Sequence, residues 1–84
     1  MANAARLINL GVPEPTANVL AAQIEAQAGD ASKLVEVAIV PELASGVARM
    51  INDDIAISAP YLVELAMVPE VAVEVAAQIT ADRA

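Results

Sequence analysis

The residues able to do chemistry in this chain are few, and their spacing assembles no reaction. Ser32, Ser45 and Ser58 are candidate nucleophiles, but the sequence holds no His and no Cys. The usual general base near neutral pH and the usual thiolate are both missing. Lys33 is a lone and weak alternative base. Asp53 and Asp54 could face a divalent cation together with carbonyl oxygens, yet an EF-hand needs ligands at fixed offsets, and no such set fits. Glu36 and Glu64, like Glu42 and Glu70, recur 28 residues apart, which suits helix polarity and solubility better than acid–base pairing. No Gly-rich phosphate loop is present. The expectation is a protein without catalytic residues, cofactor, metal or small-molecule substrate, and therefore not an enzyme.

Charge and hydropathy narrow the partners. The 84 residues carry a net charge of −7 with only four basic side chains. Such a chain repels a phosphate backbone, so no nucleic-acid partner is expected. The acids are spread thinly, as on a solvated surface rather than a DNA mimic. Hydrophobic residues make up 58% of the chain, with Tyr61 the single aromatic. A domain of this size buries only about 60–65% of its unfolded surface. Some apolar side chains must therefore stay outside, where contiguous patches tend to mark partner sites. The longest uncharged run is 15–24, well short of the roughly 18 residues a bilayer span needs, so no membrane partner is expected. Arg6 near the N-terminus is not followed by the apolar stretch and small-residue cleavage site of a signal peptide.

The elements that would carry these residues repeat. Segments 7–24, 34–51 and 62–79 start 27 and then 28 residues apart. The second and third share 11 of 18 residues and the first and third share seven, including Ile24, Ile51 and Ile79. A period in this range means one supersecondary unit per copy, stacked over a common core. In the second half of each copy, apolar residues fall at i, i+1, i+4, i+5 and i+8: Val71, Ala72, Val75, Ala76 and Ile79 in the third. That is one stripe of an α-helix, with a large row beside a row of Ala that admits a close neighbour. The first half supplies that neighbour through Leu7/Leu10, Leu34/Val37 and Leu62/Leu65. The Val residues of the last helix lower its propensity by some tenths of a kcal/mol each, so packing must form it.

Punctuation sets the bounds. Met1 and Ala2 should be loose. Asn3 caps a helix 4–10 that Gly11 ends, and Pro13-Glu14-Pro15 opens a helix 16–28 that Gly29 stops. Asp30 caps 31–37, Pro41 opens 42–51, and a turn follows at Asn52-Asp53-Asp54. Residues 55–58 form either a short strand in need of a partner or a linker whose Ile55 and Ile57 plug the core. Pro60 starts a helix to Leu65, and Val68-Pro69-Glu70 opens the last, to about Asp82. The expected fold is all-α: three tandem helical hairpins, about six short helices, packed as one small bundle. The repeats of this single domain span about 3–29, 30–54 and 58–82.

Where the copies disagree, apolar residues at outward positions call for a reason other than folding. Val73 replaces Asn18 and Ser45; Met50 replaces Gln23 and Gln78; Val19 replaces Gly46 and Glu74; Tyr61 replaces Arg6 and Lys33. With Ile55 and Ile57, these residues form the candidate protein interface.

Leu7, Leu10, Gly11, Pro13, Ala17, Leu20, Ala21, Gln23 and Ile24, and again Leu62, Leu65, Pro69, Ala72, Ala76, Gln78 and Ile79, carry a further pattern. It resembles short proteins of tailed bacteriophages described as head-fibre or capsid-associated. The resemblance covers most of the chain. It departs at Ala38 and Ala66, where the pattern has Gly; those turns should be built differently, because Ala strains a left-handed backbone. The resemblance implies a structural protein of the virion, made in the host cytoplasm, that sits on the capsid as a decoration or anchor. Its partner would be a capsid or other virion protein, with several copies present as a homo-oligomer. The alternative is a small acidic adaptor or inhibitor of a host protein. A likeness to ubiquitin-associated domains stops at Leu10-Gly11-Val12, which lacks their loop aromatic.

Overall fold

The computed structural model describes residues 2–83. Its helices are α1 (Ala4–Asn9), α2 (Glu14–Ala26), α3 (Ala31–Glu36), α4 (Pro41–Ile51), α5 (Ala59–Glu64) and α6 (Pro69–Arg83), with no strand among the described residues. Short and long helices alternate, and each short one packs on the long one after it, giving the three expected hairpins. Residues 55–58 are a linker, with Ile55 and Ile57 half-buried against the core. Ala2 also packs in part against the core rather than lying loose, while Met1 falls outside the described residues.

Each short helix starts at a polar cap, as its sequence requires. Asn3 accepts from the Arg6 N–H at 3.2 Å, Asp30 from Ser32 at 3.0 Å, and Ser58 from Tyr61 at 3.4 Å. These bonds satisfy N–H groups that have no partner within the helix. The long helices lack such caps and use proline instead, with Pro15, Pro41 and Pro69 in their first turns.

Each short helix ends in the same left-handed turn. Gly11, Ala38 and Ala66 have φ of 102°, 71° and 84°. The next residue donates back to a leucine carbonyl: Val12 to Leu7 at 3.0 Å, Ile39 to Leu34 at 3.1 Å, Met67 to Leu62 at 3.0 Å. This is the six-to-one bond of a Schellman ending. The expectation that Ala38 and Ala66 change the turn is therefore wrong. A left-handed Ala costs roughly 1–2 kcal/mol. Fully burying one leucine contributes about 1.5–3 kcal/mol, and Leu34 and Leu62 are both completely buried, so packing holds the strained turn.

The expected stop at Gly29 is also wrong. Gln27 takes the left-handed position at φ 55°, and Ala28 donates to the Gln23 carbonyl at 3.1 Å, ending α2 at Ala26. Gly29 is needed for closeness: a Cβ there would lie 2.5 Å from the Ala48 oxygen. The Asn52 side chain brackets its backbone, accepting from the Gly29 N–H at 2.7 Å and donating to its carbonyl at 3.1 Å.

The hairpins close on themselves. Leu7, Leu34 and Leu62 are buried beside Ala17, Ala44 and Ala72, with Leu20, Val47 and Val75 next along the long helices. Helix α2 touches α3, α4 touches α5, and α6 returns to touch α1. The body measures 25 × 24 × 22 Å, with a radius of gyration of 10.8 Å. A chain this long averages about 12 Å, so the three units form a closed ring rather than an open solenoid.

The strained turns yield a signed prediction. Ala38→Gly and Ala66→Gly should each raise stability by about 0.5–1 kcal/mol, the left-handed penalty of about 1–2 less the extra unfolded-state entropy of Gly. Gly11→Ala, with no atom near its added Cβ, should lower stability by a similar amount. Urea midpoints of the three variants check both signs.

Candidate functional site

The positions at which the copies differ meet one another across the seams of the ring. Glu74 of α6 forms an ion pair with Arg6 of α1 at 3.2 Å. At the equivalent place Gly46 of α4 faces Tyr61 of α5, where a Cβ on Gly46 would stand 3.2 Å from the ring and 2.6 Å from Leu65 Cδ1. Val19 of α2 and Lys33 of α3 line the third seam. The three pairings are charge with charge, glycine with aromatic, and Val beside Lys. Tyr61 and Val19 thus belong to seams, and both are half-buried.

The same holds for Met50. Its position was read as outward, but Met50 is 0% exposed, with Gln23 at 7% and Gln78 at 3%. Each glutamine clamps the cap residue of the next hairpin. Gln23 accepts from the Asp30 N–H at 3.0 Å and donates to the Asp30 carbonyl at 3.1 Å. Gln78 accepts from Asn3 at 2.9 Å and donates back at 3.1 Å, joining the last helix to the first. In the second copy the linker is one residue longer and Met50 fills the position with apolar bulk. Arg83 reaches this seam instead, donating to the Met50 and Ile51 carbonyls and pairing with Asp53 at 3.0 Å. Met50 cannot meet a partner without unfolding. Of the six candidate residues, Val73 alone is freely exposed, at 61%.

The third seam is loosely filled. A groove of about 780 Å³ runs between α2, α3 and α4, walled largely by alanines and by Lys33, Arg49 and Ser45. Lys33 and Ser45 share it without a hydrogen bond to each other. Asp30 at its edge is committed to capping α3. Asp53, one of the two carboxylates weighed as cation ligands, is held by Arg83.

The largest concentration of exposed apolar surface lies at the end where the three left-handed turns meet. Ile8, Leu10, Val35, Val40, Val63 and Val68 are six of the seven exposed large hydrophobics among the described residues; Leu10, Val40 and Val68 flank the turns, one in each hairpin, while Ile8, Val35 and Val63 lie on the short helices three residues before them. Gly11, Ala38 and Ala66 line one shared depression of about 340 Å³, with Leu20, Leu43 and Val71 also contributing. Val40 and Val68, at equivalent repeat positions, are 54% and 55% exposed. The Thr16 hydroxyl in the lining already donates to the Val37 carbonyl at 2.7 Å. A small-molecule pocket usually adds a few convergent polar groups to its apolar wall. This basin offers apolar contact and little else, which suits a partner's side chains.

Comparison with known proteins leaves this surface to be read on its own terms, since no family model, curated protein or solved structure matches the chain. The basin is not legible from the repeat, because its three exposed residues come from different repeat positions and Leu10 is expected on the packing face with Leu7.

The ring closure can be broken singly. Gln78→Ala should cost about 1–3 kcal/mol by leaving the Asn3 backbone without its partners. It should also raise amide hydrogen exchange in α1 more than in α3, which native-state exchange would resolve residue by residue.

Proposed function

We propose that this chain is a non-catalytic structural protein of a tailed-phage virion that docks on a capsid or other virion protein through its apolar turn end. The observation that carries the docking is the meeting of three exposed apolar side chains at one basin, Leu10, Val40 and Val68, one from each hairpin. Scattered exposure of single apolar residues is ordinary, but one such side chain from each hairpin at a single basin forms a contiguous patch of the kind that marks partner sites. The virion assignment is supported by the resemblance of the repeat to head-fibre and capsid-associated proteins.

The chemistry within reach supports a binding role. No group of three or more His, Cys, Asp or Glu residues among those described could hold a metal ion. No helix of the structure is long and apolar enough to cross a membrane. What the fold presents is a rigid body of short connections with one apolar end, a form suited to sitting on another surface.

Sedimentation with phage particles tests this reading. The tagged chain, expressed during infection by the phage that encodes it, should travel with assembled heads. Val40→Ser combined with Val68→Ser should leave the chain folded, since both sites are exposed, and should move most of it to the soluble fraction. Recovery of the unaltered chain with a host protein and never with particles would instead support the adaptor reading.

A further inference from the structure

The basin has an electrostatic frame. Glu14, Glu42 and Glu70 stand in the first turns of α2, α4 and α6, which spring from its three turns. Glu36 and Glu64 are the last residues of α3 and α5, on the other side of two of those turns. All five are exposed. No Lys or Arg lines the basin. Of the four basic residues, Arg6 pairs with Glu74, Arg83 with Asp53, and Lys33 and Arg49 line the groove between α2, α3 and α4. The depression is therefore flanked along the chain by carboxylates at all three turns, an acidic rim, and the nearest base, Arg6 in the adjoining depression beside Leu10, is paired with Glu74.

We infer that the occupant of this basin is a cationic amphipathic segment of a partner protein. Its apolar side chains seat against Leu10, Val40 and Val68, and its flanking Lys or Arg residues face Glu14, Glu42 and Glu70. The inference rests on the turn end being the docking face, and it adds the chemistry of what docks. Charge complementarity decides among occupants. A second copy placed face to face would set five carboxylates against five, a repulsion that works against self-pairing at this surface. Nucleic acid and anionic lipid meet the same repulsion. Exposed ion pairs hold little by themselves. The apolar contact fixes the segment, while the rim speeds encounter and rejects acidic competitors.

The test uses two synthetic helical peptides with the same leucine stripe, one flanked by lysines and the other by glutamates, titrated into the isotope-labelled full chain. The lysine peptide should shift amides at 10–12, 38–40 and 66–68 and should bind at least about tenfold more tightly than the glutamate peptide. Its affinity should fall several-fold as salt rises and the rim is screened. Glu42→Gln with Glu70→Gln should reduce the preference between peptides. Val40→Ser with Val68→Ser should weaken both peptides. Equal binding of the two peptides, shifts confined to the groove around Lys33 and Arg49, or concentration-dependent shifts at the turns without peptide would each overturn the inference. Particle association lost in the double Ser variant, together with no peptide preference, would leave the docking face standing and remove only the cationic occupant. Lysine-peptide binding without particle association would do the reverse.

Discussion

The left-handed turn that ends each short helix is the constraint on which the rest depends. It reverses the chain within a few residues, so that Leu7, Leu34 and Leu62 can lie against the alanine row of the following helix. A chain of 84 residues has little surface to hide and cannot use long connections. The turn solves this three times with one geometry, although only the first copy has the residue that adopts it without strain. Packing outweighs local preference at Ala38 and Ala66 because the residue after each, Ile39 or Met67, is itself buried in the common core. The same turn has a second effect. By bending the backbone sharply at the end of the body, it leaves the flanking side chains of Val40 and Val68 more than half exposed at the edge of the basin. The fold and the candidate surface come from one device.

Closing the ring raises a second problem, since three similar hairpins could pair in the wrong order. The seams differ in ways that oppose this. Glu74 needs the cation of Arg6, whereas Tyr61 and Leu65 need the missing side chain of Gly46. Moving Tyr61 to the seam of Glu74 would bury a carboxylate against a ring, and moving a larger residue to position 46 would clash. Repetition supplies the scaffold, and departures from repetition supply the order in which its parts join.

This division explains what could be read from the sequence. The helical class, the hairpin unit and the caps at Asn3 and Asp30 are legible because each is a local rule of spacing or side-chain chemistry, whereas the cap at Ser58 comes from the structure. The end of α2 is not legible because Gly29 looks like a helix stop, whereas its lack of a side chain answers the approach of Ala48 across the ring. The burial of Met50 is illegible for a related reason. Met50, Val19 and Tyr61 are exceptions to the repeat, but Met50 is buried and Val19 and Tyr61 stand at seams near Lys33 and Gly46 of neighbouring hairpins, which no periodicity reveals. Conversely, the i, i+3 spacing puts Leu10 on the packing face with Leu7, yet Leu10 is 39% exposed because the chain has already left α1 at Asn9.

The central claim is that the three turns share one end of a closed ring and together form its apolar basin. Methyl-to-methyl nuclear Overhauser contacts in solution test it most directly. The account predicts cross-peaks that tie Val12, Ile39 and Met67 into one network spanning all three hairpins. A spectrum in which each of these side chains sees only its own hairpin would contradict the closed ring, and with it the surface from which function has been read.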